Sequence, residues 1–135
     1  YVDDPDAIRG KRVLVVEDDE VNREIAVEML AETGLLIDTA EDGQVAVERV
    51  READYALILM DMQMPRMDGL QATLQIRALP GQADTPIVAM TANAFAEDRA
   101  RCFEVGMNDF IPKPVEPGLL LRVVLKWLER RASGV

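Results

Sequence analysis

The chain has 135 residues, 49% of them apolar and 30% charged, a length and mixture that fit one soluble globular domain and exclude a disordered tail. Its 25 acidic against 15 basic side chains leave a formal charge of -10, which opposes direct binding to nucleic acid or an anionic membrane, where Lys and Arg must neutralise phosphates. With no histidine there is no imidazole base, imidazole metal ligand or phosphohistidine, so any chemistry falls to carboxylates, lysine and hydroxyls.

Residues 1–10 are acidic, carry no apolar targeting segment and read as a leader or linker. No apolar run approaches the roughly 20 residues that cross a bilayer, so the expected compartment is the cytoplasm. Arg12 to Val16 is a short β-branched run that ends in Glu17-Asp18-Asp19-Glu20, the pattern of a buried parallel strand with polar residues at its carboxyl end. From Val21 to Thr33 apolar residues recur at Val21, Ile25, Ala26, Met29 and Leu30, one face of a helix, with Gly34 as its C-terminal cap. The alternation repeats, with a strand over Leu35 to Ala40, a helix over Gln44 to Arg51, a strongly apolar strand over Tyr55 to Met60 and a helix over Gly69 to Arg77. A fourth strand over Pro86 to Met90 precedes a helix over Ala96 to Val105 stopped by Gly106. A short strand over Asp109 to Pro112 and a long helix over Pro117 to Arg131 follow, and residues 132–135 form a tail.

Five strands alternating with five helices imply a doubly wound α/β fold, a five-stranded parallel sheet covered on both faces, because right-handed crossovers put the helices outside the sheet. Function in such folds gathers where strand carboxyl ends meet a topological switch point. The residues there are Glu17 and Asp18 after the first strand, Asp61 after the third, Thr91 after the fourth and Lys113 after the fifth. Three carboxylates at one sheet edge repel one another, and a divalent cation resolves that repulsion. Oxygen ligands without His or Cys select a hard ion such as magnesium, with calcium the weaker choice. The segment 61–69 lacks the alternating acids and terminal Glu of an EF-hand. An Asp carboxylate is also a nucleophile toward phosphorus, and a cation, an ammonium and a hydroxyl around it make a sufficient set for phosphoryl transfer.

Four fragments, Val15-Val16-Glu17-Asp18-Asp19, Met60 to Gly69, Met90-Thr91-Ala92 and Lys113-Pro114, each fall at a strand end and in order. Together they resemble the response-regulator receiver domain of two-component signalling over about residues 11–130. That resemblance implies a flavodoxin-like fold with strand order 2-1-3-4-5 and a receiver over 11–131. It implies Asp61 as phosphoacceptor, Glu17, Asp18, Asp61 and the Gln63 carbonyl as ligands of Mg2+, with Mn2+ as a substitute, and Thr91 and Lys113 as ligands of the phosphoryl oxygens. Glu17 stands where many members have Asp, and Phe110 takes the place of a switch aromatic that is often Tyr, working with Thr91. Gln63 and Asn93 hold positions that tune hydrolysis, and Lys113-Pro114 resembles the family's cis peptide.

Taken singly, Asp18 or Asp61 would read as a cap or turn residue, Asp19, Glu20 and Asp42 read as capping or plainly solvated residues outside the site, and Asp68 also stays outside it. Met60, Met62, Met64 and Met67 read as gap-filling core, as does Trp127 in its helix, and the lone Cys102 as a buried thiol. A phosphatase of the haloacid dehalogenase type needs an Asp two positions after its nucleophile, where this chain has Gln63. An interaction module independent of phosphorylation is the other alternative, although the acceptor, acidic pair and lysine are all retained. The implied partner is a histidine kinase or histidine phosphotransfer domain, with a homodimer also admitted. The details of Val21-Asn22-Arg23-Glu24 and Phe110 to Pro114 resemble receivers of hybrid sensor histidine kinases, with a stand-alone regulator as the alternative context.

Overall fold

The computed structural model describes residues 10–31, 33–62, 64, 67–82, 84–92, 96–113 and 115–132, the side chains of 96–98 and 129–132 excepted. In chain order the elements are β1 (Arg12–Val16), α1 (Glu20–Ala31), β2 (Leu36–Ala40), α2 (Gly43–Glu52), β3 (Leu57–Asp61), α3 (Gly69–Ala78), β4 (Ile87–Thr91), α4 (Ala96–Glu104), β5 (Asp109–Pro112) and α5 (Pro117–Ala132). All five strands pair in parallel in the order β2-β1-β3-β4-β5. The expected flavodoxin-like sheet is therefore present.

Alternation along each strand divides the core between two faces of the sheet. Val13, Val15, Leu57, Leu59, Val88 and Met90 pack with α1 and α5 through Leu30, Leu120, Val124 and Leu128. Leu14, Val16, Ile58, Met60, Ile87 and Ala89 pack with α2 and α3 through Val47, Val50, Ala72 and Ile76, and with Cys102 of α4. Each fully buried Leu or Ile contributes about 1.5–3 kcal/mol by leaving water, which is why the central strands tolerate no polar residue until their ends. The helices begin where short polar side chains replace missing backbone partners. Asp42 Oδ1 accepts from Val45 N at 2.9 Å, and Asp68 Oδ1 accepts from Gln71 N at 2.9 Å. Asp19 Oδ1 does the same for Val21 N at 2.9 Å and Asn22 N at 3.2 Å. Gly34 ends the α1 turn at a φ of 86°, the left-handed conformation expected of its capping role.

Two strands differ from the sequence expectation in a way that bears on function. β3 starts at Leu57 instead of Tyr55 and runs on through Asp61, and β4 runs from Ile87 through Thr91. Pairing decides both ends, since Asp61 lies in register with Met90 and Thr91 with Pro112. Asp61 and Thr91 are thus the last residues of their strands and not loop residues, so their backbones are as rigid as the sheet. Tyr55 lies outside the strand, where its hydroxyl donates to Asp38 Oδ2 at 2.8 Å. The capping reading of Asp42 holds, Asp68 also caps its helix, and Met60 and Cys102 are core as expected. Trp127 does more than pack, because its Nε1 donates to Asp109 Oδ2 at 3.0 Å, tying α5 to the start of β5.

Candidate functional site

The order of strands reverses between β1 and β3, as the chain goes from β1 outward to β2 and then crosses back to β3. The cleft opened by that reversal lies at the strand carboxyl ends and receives Glu17 and Asp18 on one side and Asp61 on the other. One ligand oxygen from each of these three carboxylates lies within 4.8 Å of the others. Glu17 and Asp61 are buried at 3% and 2% exposure, whereas Asp18 faces solvent, so the group is closed beneath and open above.

Lys113, the first residue after β5, reaches over this group. Its Nζ donates to Asp61 Oδ1 at 2.9 Å and stands 3.1 Å from Glu17 Oε2. Its backbone N–H donates to the Thr91 carbonyl at 2.8 Å, which continues the β4-β5 ladder past the strand and aims the lysine. Thr91 is buried at the end of β4, one strand over from Asp61. Phe110 is half-buried within β5 opposite Ala89, with the Arg99 guanidinium of α4 5.1 Å from its ring centroid. Beside Lys113 a mostly apolar cleft of about 470 Å³ opens, lined by Glu17, Asn22, Ile25, Met29 and Met90 among others.

Electrostatics follow from burial. Loss of water pushes the Glu17 carboxyl up to about 7, the neighbouring Asp61 pushes it the same way, and Lys113 only partly opposes them. Burial by itself would lower the Lys113 ammonium, but the bonds and charges of Asp61 and then Glu17 outweigh it and hold its pKa above the ordinary lysine value. Lysine is therefore firmly charged. Three crowded carboxylates, two of them buried, all with hard oxygen donors and one face open to water, fit a hard divalent cation.

The loop around the acidic residues is tightly specified. The Glu17 N–H donates to the Ala40 carbonyl at 3.0 Å, the Asp19 N–H to Glu17 Oε1 at 3.3 Å, and Arg23 Nη1 to the Glu17 carbonyl at 3.0 Å. After β3 the chain returns over Asp61 so closely that a Cβ on Gly69 would stand 2.5 Å from the Asp61 carbonyl oxygen. Of the residues that the sequence pointed to, Glu17, Asp18, Asp61 and Lys113 converge directly, and Thr91 and Phe110 lie on the adjoining strands. Gln63, Asn93 and the Lys113-Pro114 peptide fall on or beside residues outside those described. Arg23 and the close approach at Gly69 escaped the sequence reading. Both stood in quoted fragments, Arg23 in Val21 to Glu24 and Gly69 in Met60 to Gly69, but neither the contact of Arg23 with Glu17 six positions before it nor the packing of Gly69 was visible there.

A doubly wound sheet carrying an acidic, lysine-bridged cluster at its switch point defines a receiver-type α/β domain. Residues 13–125 match the response regulator receiver domain family. The hybrid signal transduction histidine kinase B of Dictyostelium discoideum is 41% identical over 130 residues, covering 87% of this chain. The chain spans only 7% of that kinase's length. Among solved structures, the receiver domain of sensor histidine kinase PA1611 from Pseudomonas aeruginosa PAO1, with magnesium coordinated in its active site cleft, superimposes with a TM-score of 0.83 at 38% identity. That match covers 89% of this chain and 98% of the other. The Saccharomyces cerevisiae co-crystal of the histidine phosphotransfer protein Ypd1 and the receiver domain of its downstream response regulator Ssk1 gives a TM-score of 0.85 at 31% identity, covering 93% of both chains. The chain belongs to the response regulator receiver domain family.

Proposed function

We propose that Asp61 is the phosphoacceptor of this receiver domain. An Asp61 carboxylate oxygen attacks the phosphorus of a phosphohistidine, the P–N bond breaks, an acyl phosphate forms, and the imidazole leaves and takes a proton from water. The observation that carries this reading is the Lys113 ammonium 2.9 Å from Asp61, with Glu17 and Asp18 in the same cluster. Lys113 and the Thr91 hydroxyl bind the phosphoryl oxygens, and the rigid end of β3 keeps the attacking oxygen in line.

Glu17, Asp18 and Asp61, with the Gln63 carbonyl, hold Mg2+, and Mn2+ serves as a substitute. When bound, the ion offsets the negative charge that the phosphoryl group adds to an acidic cleft. Thr91 and Phe110 form the switch, Thr91 turning toward the new phosphoryl group and Phe110 repacking within β5. Gln63 and Asn93 orient the water that ends the signal. The relatives support a hybrid sensor histidine kinase as the wider context. In this reading residues 11–131 are the receiver, 1–10 a leader or linker, and the domain lies in the cytoplasmic part of that kinase. The Ypd1 co-crystal supports a histidine phosphotransfer domain or histidine kinase as the donor. The net charge of -10 argues against direct nucleic acid contact.

The test is intact-mass analysis after incubation with acetyl phosphate, with and without Mg2+, on the wild type and Asp61→Asn. One Mg2+-dependent adduct in the wild type and none in the variant is the expected outcome. A wild type that takes up no phosphoryl group shifts the reading to a module that works without phosphorylation.

A further inference from the structure

Asp18 is the solvent-facing member of the acidic group, with none of the burial that holds Glu17 and Asp61 in place. Its position depends on the peptide that joins it to Glu17. The carbonyl of that peptide belongs to Glu17 and accepts a hydrogen bond from Arg23 Nη1 at 3.0 Å, while the N–H on the other side of Glu17 is tied to Ala40 of β2 at 3.0 Å. Arg23 is itself anchored, because it lies in the first turn of α1 and its N–H donates to the Asp19 carbonyl at 2.9 Å. We propose that Arg23 is a positioning residue for the acidic pair, its guanidinium locking the Glu17-Asp18 peptide plane so that Asp18 faces the cation site. This rests on the reading of Glu17, Asp18 and Asp61 as a magnesium site.

A mere charge effect has the opposite sign. A guanidinium near a cation site opposes cation binding, so removing it would tighten Mg2+ if Coulomb repulsion were its only action. Glu20, Glu24 and Glu28 line the same groove as Arg23 and offset part of that repulsion, which leaves the geometric contribution to dominate. Freeing the peptide lets Asp18 swing, and loss of such an outer contact to metal ligands characteristically weakens a site.

The experiment is isothermal titration calorimetry of Mg2+ into the full chain at about 0.15 M salt, where distant charges are screened. It compares the wild type with Arg23→Met and Arg23→Lys, with urea unfolding in the absence of metal to verify that each variant is folded. The expected result is a dissociation constant raised roughly tenfold in Arg23→Met and restored to near wild type in Arg23→Lys, which keeps both charge and donor. A folded Arg23→Met that binds Mg2+ as tightly as the wild type, or more tightly, overturns the positioning role alone. A wild type that takes up no Mg2+ overturns the site reading together with this inference.

Discussion

Replacing Lys113 by Met removes the ammonium that stands 2.9 Å from Asp61 and 3.1 Å from Glu17. Breaking a buried ion pair from one side costs about 3–5 kcal/mol, and Lys113, at 24% exposure, warrants the lower end, about 3 kcal/mol near pH 8. The penalty depends on pH through Glu17, whose carboxyl is raised to about 7. At pH 8 the lysine faces two charged carboxyl groups, and its loss strands both. At pH 5 Glu17 already carries a proton, the lysine pairs with Asp61 alone, and the penalty shrinks by about 1–2 kcal/mol. The assay is urea unfolding of the metal-free wild type and Lys113→Met at both pH values, followed by the fluorescence of Trp127. Equal destabilisation at pH 5 and pH 8 would refute the argument that Glu17 and Lys113 share one electrostatic system.

In the metal-free wild type, Glu17 titrates near 7 when folded against 4.5 as its ordinary value. The stability this confers is complete below about pH 4.5 and is lost as pH rises through 7, a change of about 3 kcal/mol visible in unfolding midpoints. Gly69→Ala would put a Cβ 2.5 Å from the Asp61 carbonyl and 3.0 Å from Met62 Cα, both backbone atoms. It is expected to cost about 2 kcal/mol and slow adduct formation at Asp61, read by unfolding and by timed mass spectra. Arg77→Met removes the donors that meet the Gly106 carbonyl at 2.7 and 3.0 Å, the Gln82 carbonyl at 2.8 Å and Asn108 Oδ1 at 2.9 Å. It should lower stability by about 3 kcal/mol while leaving the Mg2+ requirement of adduct formation intact, because the network lies at the opposite end of the sheet from Asp61.

α4 rests lightly on the sheet, which bears on how a signal leaves the site. Of its described side chains, residues 99–104, only Cys102 is buried, and Arg99 supplies a second contact over Phe110. An exposed cation-aromatic pair contributes about 0.5–1 kcal/mol, small beside the several buried side chains that hold each of α2 and α3. On its described side chains α4 is held weakly, so the proposed repacking of Phe110 within β5 would move it at low cost.

The fold was legible in the sequence because its cause is local. Parallel strands buried on both faces must be short apolar runs, crossover helices must show a helical stripe, and the polar residues that end each strand mark the functional edge. The convergence of Glu17, Asp18, Asp61 and Lys113 followed from that topology alone. Other features were decided only by three-dimensional packing. Glu17 and Asp18 are neighbours in the chain just past the end of β1, yet one is buried with its carboxyl raised to about 7 and the other is exposed, a difference that only the packing around the cleft decides. The last strand residues at Asp61 and Thr91 were set by their partners across the sheet. Arg23, Arg77 and Lys113 carry long side chains whose partners lie 6, 29 and 52 positions away, at Glu17, Gly106 and Asp61. Strand and helix periods are written into near neighbours, but the reach of a flexible cation is resolved only when the folded chain brings an oxygen within about 3 Å of it.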